Sequence, residues 1–98
     1  MKRDLALEAL MRRADSLRAR GVAAAYLFGS TVRGDAREDS DLDVFIDVVP
    51  DRKFSLLDLV GLRRFLETEL GVAVDLTTRG SLHPKLRSDI EREAVRAF

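Results

Sequence analysis

Two acidic side chains, Asp41 and Asp43, stand two positions apart where an apolar run begins. The run, Leu42 to Val49, is rich in β-branched residues and predicts a buried strand. Residues i and i+2 of a strand point to the same face, so both carboxylates lie side by side. Mg²⁺ prefers carboxylate oxygens and keeps waters that substrate phosphates replace. The pair predicts a platform for a metal–triphosphate complex; the alternative is a polar turn whose second acid faces water.

A Gly-Ser pair, Gly29 and Ser30, directly follows another apolar run, Val22 to Phe28, which predicts a short buried strand. Glycine lets the backbone approach a ligand closely, and the amides after it are free to point at an anion. These residues therefore predict a phosphate-binding turn to which Ser30 adds its hydroxyl. The alternative is that Ser30 only caps a short helix that begins near Thr31.

A third carboxylate, Asp75, interrupts the apolar run Val72 to Thr77, which predicts another strand. An acid in a central strand is costly unless a cation or a donor satisfies it. If this strand pairs with the one that carries Asp41 and Asp43, three carboxylates converge, and a metal would relieve their repulsion. Two alternatives stay open: Asp75 faces water on an edge strand, or Asp47, on the strand face of Asp43, is the third carboxylate.

The joint pattern resembles the signature of the minimal nucleotidyltransferase (MNT) family, in the DNA polymerase beta-like nucleotidyltransferase superfamily. The similarity extends to the long helix after the second strand and covers nearly the whole chain. The matching positions are Gly29, Ser30, Arg33, Gly34, Ser40, Asp41, Asp43 and Asp75.

This resemblance implies roles for the matching residues. Gly29, Ser30 and Arg33 would contact the nucleotide. Asp41 and Asp43 would be the metal-binding pair. Asp75 would be the third catalytic carboxylate and metal ligand, which orients or deprotonates the attacking group. The implied cofactor is Mg²⁺, as two ions, and the implied substrate is a nucleoside triphosphate, ATP.

The resemblance also implies a function. The leading hypothesis is an antitoxin that transfers AMP from ATP to a tyrosine of a helical HEPN-type toxin. The first alternative is a catalytically silent module that neutralises its partner by contact. The second is nucleotidyl transfer to a small molecule or to RNA. A homo-oligomer is a further open interpretation, because so small a chain must borrow its acceptor surface.

The elements that position these residues follow from the hydrophobic pattern. Helical spacing predicts a first helix from Asp4, as N-cap, to Gly21, and a second long helix with a capping box at Ser55 and Asp58. A last helix is predicted from near Pro84 to Phe98. The fold class is therefore α/β (α+β), with a small mixed sheet of three or more strands, helices packed on it, and the polymerase beta palm-like topology that the resemblance implies.

Length and composition narrow the classes further. A chain of 98 residues predicts one domain, 1–98. Seventeen basic and seventeen acidic side chains cancel, so nothing indicates nonspecific binding to nucleic acid. Without cysteine there are no disulfides or thiolate metal sites. No apolar stretch is long enough for a membrane span, and we expect a cytoplasmic protein.

Overall fold

One four-stranded mixed sheet forms the centre of the molecule, in a computed structural model that describes all 98 residues. A 3-10 turn, Arg79–Ser81, follows the third strand. The other elements are, in chain order, α1 (Arg3–Arg12), α2 (Ala14–Ala19), β1 (Val22–Phe28), α3 (Ser30–Arg33), β2 (Leu42–Val48), α4 (Leu56–Leu70), β3 (Val74–Thr78), α5 (Arg87–Glu93) and β4 (Val95–Arg96).

The strand order is β3-β2-β1-β4. β1 runs antiparallel to both β2 and β4, whereas β2 and β3 are parallel. Parallel neighbours need a long crossover connection, and α4 supplies it. The predicted small mixed sheet with helices packed on it is confirmed, and it places the Asp75 strand directly beside the Asp43 strand.

The two faces of the sheet differ in chemistry. Alternate residues of the three long strands, such as Leu27, Val44 and Leu76, pack with Leu10 of α1 and Leu66 of α4 in a continuous core. The opposite face carries the remaining strand residues, including all the acids of β2 and β3. This alternation follows from the two-residue period of a strand, and it directs the polar groups of interest away from the core.

The first helix differs from its prediction. The chain breaks at Arg13 (φ −103°, ψ 11°) into α1 and α2, and Lys2, not Asp4, occupies the N-cap position. Asp4 instead lies in the first turn, where its charge favours the positive end of the helix dipole. By contrast, the capping box of Ser55 and Asp58 is confirmed with both hydrogen bonds formed.

The end of the last helix was predicted wrongly. α5 ends at Glu93, Ala94 is extended (ψ 143°), and Val95–Arg96 pairs with β1. Phe98 therefore lies outside any helix, and its carbonyl accepts a hydrogen bond from Ala25 at 3.2 Å. The open edge of β1 explains the change, because its unpaired amide and carbonyl groups gain partners that a continued helix could not offer.

None of the helices combines the length and the apolar composition that a membrane crossing requires.

Candidate active site

The turn after β1 depends on Gly29, the N-cap residue of α3. Its backbone (φ 78°, ψ −153°) lies in a region that is essentially restricted to glycine. A Cβ at this position would also overlap the Asp43 carboxylate. Ser30 is the first helical residue, and no side chain caps α3. The alternative in which Ser30 only caps this helix is therefore not supported.

The register of the sheet brings the acids together beside this turn. Asp43 pairs with Asp75 across the parallel β2–β3 ladder, and it pairs with Phe28 across β1. Because Phe28 immediately precedes Gly29, the Asp43 carboxylate lies against the turn. Asp41 directly precedes β2 and is exposed, as is Asp75, whereas Asp43 is partly buried.

The pKa of Asp43 reflects the charges around it. The pKa of Asp43 is raised above its ordinary value, first by burial and then by the negative charges of Asp75 and Asp41. The positive charge of Arg33 opposes this rise. Asp43 is thus an acid whose ionised form the fold disfavours, and a cation at this point would stabilise it.

The donor set fits magnesium. No three acidic or histidine side chains are preassembled closely enough to form a metal cage. Mg²⁺, however, is usually bound through one or two carboxylates, with waters and substrate phosphates completing its shell. The neighbouring carboxylates of Asp43 and Asp75, with Asp41 at the edge, supply oxygen ligands of this kind. A metal would enter together with the nucleotide rather than occupy a closed protein site.

Arg33, at the end of α3, pairs with two acidic side chains. Its Nη1 donates to both carboxylate oxygens of Glu93, at 3.1 and 3.2 Å, and its Nε lies 3.5 Å from Asp35. About half of the Arg33 side chain is exposed. The backbone amide of Gly29 donates to Glu93 as well, at 2.7 Å. Glu93 was not identified from the sequence, because an acid on a polar helix carries no signal of a contact so distant in the chain.

Asp47, the other candidate for the third carboxylate, has a different role. Its two oxygens accept hydrogen bonds from Arg79, at 2.8 and 3.0 Å, and this pairing lowers the pKa of Asp47. Arg79 also donates to Glu91 at 2.5 Å and stacks over the rings of Tyr26 and Phe45. Since the register places Asp75, not Asp47, beside Asp43, Asp47 is excluded from the carboxylate cluster.

A cavity lies beside these residues rather than among them. It measures about 900 Å³ and opens between the start of α1 and the segment that follows α3. Arg33 is the only predicted site residue in its lining. The basic side chains that line it are Lys2, Arg3, Arg33 and Arg37, and the acidic ones are Asp4 and Glu38.

Comparisons with known proteins identify the family of the chain. The profile of the nucleotidyltransferase domain matches residues 10–97. Protein adenylyltransferase MntA of Thermococcus cleftensis is 43% identical over 77 residues, which cover 76% of this chain and 74% of that protein.

Two solved structures share the fold. One, provisionally described as a minimal nucleotidyltransferase, superposes with a TM-score of 0.71 at 38% identity and covers 97% of this chain and 95% of the other. The second is a complex of a tri-AMPylated Shewanella oneidensis HEPN toxin with its MNT antitoxin. Its matching chain has a TM-score of 0.67 at 18% identity, over 94% of this chain and 71% of that chain, a likeness of fold alone.

Proposed function

The chain belongs to the minimal nucleotidyltransferase family, and we propose that it transfers AMP from ATP to a hydroxyl group of a partner protein. The observation that carries this proposal is the pairing of Asp43 with Asp75 directly beside the Gly29 turn. That arrangement combines an anion-accepting turn with a cluster of carboxylates. Binding of a triphosphate together with its metal ions requires both the turn and the carboxylates.

Each residue of the candidate site would have its own role. The triphosphate would bind at Gly29 and Ser30, where the first amides of α3 have no partners within the helix. Asp41, Asp43 and Asp75 would hold Mg²⁺, which would neutralise the charge that develops on the phosphates. Arg33 would contact a phosphate while staying next to Glu93, since half of its side chain is exposed.

The chemical step is an in-line displacement at the α-phosphorus. The acceptor oxygen forms a bond to phosphorus, the bond between the α-phosphorus and the bridging oxygen breaks, and pyrophosphate leaves. Asp75 would accept the proton of the attacking hydroxyl. Its exposed side chain and its place next to Asp43 suit this role, because an acceptor from another molecule must reach it. Such catalysis relies chiefly on positioning and charge neutralisation.

For the acceptor we propose a tyrosine of a HEPN-type toxin, so that the chain acts as an antitoxin. Two observations support this choice. A relative at 43% identity is named a protein adenylyltransferase. The fold is also that of an MNT antitoxin solved with an AMP-modified HEPN toxin. The alternatives are a silent module that acts by contact, and transfer to a small molecule or RNA, for which the basic residues of the 900 Å³ cavity are the available surface.

Labelling would test the function directly. The protein is incubated with ATP labelled at the α-phosphate, with Mg²⁺, and with a HEPN-type protein of the same organism. We expect label on a tyrosine of the partner, and none when Asp41 and Asp43 are both replaced by Ala. Label on RNA or on a small molecule would support the alternative acceptors. Neutralisation of the partner without any label would establish the contact-only module instead.

A further inference from the structure

Glu93, the last residue of α5, connects Gly29 in the candidate phosphate-binding turn with Arg33 at the end of α3. Its Oε1 accepts a hydrogen bond from the backbone amide of Gly29 at 2.7 Å and another from Arg33 at 3.1 Å. Its Oε2 lies 3.2 Å from the same guanidinium nitrogen. The two partners flank α3: Gly29 is its N-cap and Arg33 its last residue.

α3 needs such support because it is intrinsically weak. It has four residues, fewer than an isolated helix requires, and no side chain caps its start. Hydrogen bonds to an ionised carboxylate are shorter and stronger than neutral ones. A single carboxylate that binds both ends of α3 therefore fixes the helix relative to β1 and to the Asp43 carboxylate.

We propose that Glu93 is a positioning residue of the nucleotide site, which holds the Gly29–Ser30 turn and fixes the Arg33 guanidinium beside it. The inference rests on the proposed function, in that the turn is where the triphosphate binds. It assigns the amide of Gly29 to an internal contact, so the amides of Ser30 and Thr31 are left for the ligand. It also makes the segment from α5 to β4 part of the site's framework.

The same contacts allow an opposite interpretation, in which Glu93 and a phosphate compete for Arg33. Glu93 would then act as a carboxylate that occupies Arg33 until a phosphate displaces it. Positioning is favoured because Oε1 of Glu93 also accepts from the backbone amide of Gly29, a contact that competition for Arg33 does not require. The two interpretations predict opposite changes in affinity when Glu93 is removed.

Two variants at this position, with one matched control, test the proposal. We expect Glu93→Ala to weaken binding of the Mg²⁺ complex of AMP-PNP by about tenfold or more, and to raise the KM for ATP more than it lowers kcat. Glu93→Gln keeps an oxygen acceptor for Gly29 and should restore part of the affinity. Glu91→Gln, two residues earlier in α5, also breaks an ion pair with an arginine, and it should leave affinity unchanged.

The amide resonance of Gly29 provides a readout that needs no nucleotide. In the ligand-free protein, Glu93→Ala should move this resonance upfield and remove its protection against hydrogen exchange, whereas Glu93→Gln should retain most of the protection. Wild-type or tighter nucleotide binding in Glu93→Ala, or an unchanged Gly29 amide, would overturn the proposal. If the wild-type protein binds no nucleotide while the amide responds as expected, the proposed function fails and the structural contact stands.

Discussion

Asp43 and Asp47 lie on one face of β2, four residues apart, and the fold treats them in opposite ways. Asp43 lies among other carboxylates, and its pKa is raised; Asp47 is paired with Arg79, and its pKa is lowered. At the Asp47 end, two aromatic rings and a second acid complete a satisfied cluster that closes the sheet face. At the Asp43 end, Arg33 offsets the negative charges only in part, and the pKa of Asp43 stays raised. This difference supports the proposed role of the Asp43 end, which is to receive a cation.

The largest effect on AMP transfer should come from removing one charge at the Asp43 end. Asp75→Asn keeps the shape and one acceptor but removes the charge that we propose accepts the proton and binds the metal, so we expect AMP transfer to fall by about 100-fold or more. Nucleotide binding should decline much less. Asp47→Asn, the same change at the other end of the face, should leave transfer unchanged in radiolabel assays run below its melting temperature. Equal losses in both variants would remove the distinction between the ends.

Gly29→Ala should be the most damaging change to stability. The new Cβ meets the Asp43 carboxylate in a backbone conformation that only glycine adopts readily, and we expect a loss of about 3 kcal/mol in urea unfolding. Gly34→Ala is the matched control, because its φ is also positive (81°) but no atom lies within 4 Å of the added Cβ. It should cost only about 1 kcal/mol, the strain of the left-handed backbone. Similar losses would show that the carboxylate does not crowd the turn.

Substitutions at the Asp47 end, where Arg79 lies, should affect stability but not nucleotide affinity. Arg79→Ala removes the arginine bonded to Asp47 and one of the two arginines paired with Glu91, and it uncovers two rings. We expect this to cost about 1–2 kcal/mol because the groups are partly exposed. Arg96, which also lies over Tyr26, makes no ion pair, so Arg96→Ala should change stability by less than about 0.5 kcal/mol. A large drop in affinity for AMP-PNP in Arg79→Ala would show that the Asp47 end of the sheet face also contributes to nucleotide binding.

The smallest expected effect is on the pH dependence of stability, which should have opposite signs for Asp43 and Asp47. Because its folded-state pKa is raised, Asp43 binds protons in the folded protein that the unfolded chain releases, so its contribution to stability falls as the pH rises from its ordinary value of 3.8 through the folded pKa. Asp43→Asn should therefore stabilise the ligand-free protein at pH 7, by less than about 1 kcal/mol, and this gain should vanish in acid.

Asp47 should behave in the reverse manner. Its lowered pKa adds stability that is complete above 3.8 and is lost as the pH falls through the folded pKa. Asp47→Asn should therefore destabilise the protein at pH 7 and have little effect at low pH. Thermal melts of both variants between pH 3 and pH 7 would measure the two slopes. Slopes of the same sign would contradict the assignment of opposite environments.

Local patterns predicted most of the elements that carry the site. The apolar run after Asp41 predicted β2, and the capping box predicted the start of α4, because both signals lie within a few neighbouring residues. Asp75 was singled out because an acid in a central strand needs a partner, but that premise was wrong, since β3 is an edge strand and Asp75 is exposed. The choice between Asp75 and Asp47 could not be made from the sequence, since it depends on the pairing of β2 with β3, which no local pattern encodes.

Long-range contacts account for what was missed. The helical spacing of Ile90 and Ala94 continues to Phe98, so the pattern favoured one helix, whereas the free edge of β1 captures Val95–Arg96 as a strand. Glu93 and Arg79 carry no signal of their own. Their partners are 64 and 32 positions away in the chain, so their roles exist only once the sheet has formed.

The contact between Gly29 and Glu93 also has a consequence for biosynthesis. During translation, the Gly29–Ser30 turn leaves the ribosome well before the residues of α5 and β4 that support it. Chain closure over 64 residues is slow compared with local helix formation. A nascent chain that already contains its carboxylates therefore lacks a fixed Gly29–Ser30 turn until the strand at Val95–Arg96 docks on β1. Under the proposed function, its affinity for ATP should rise at that step.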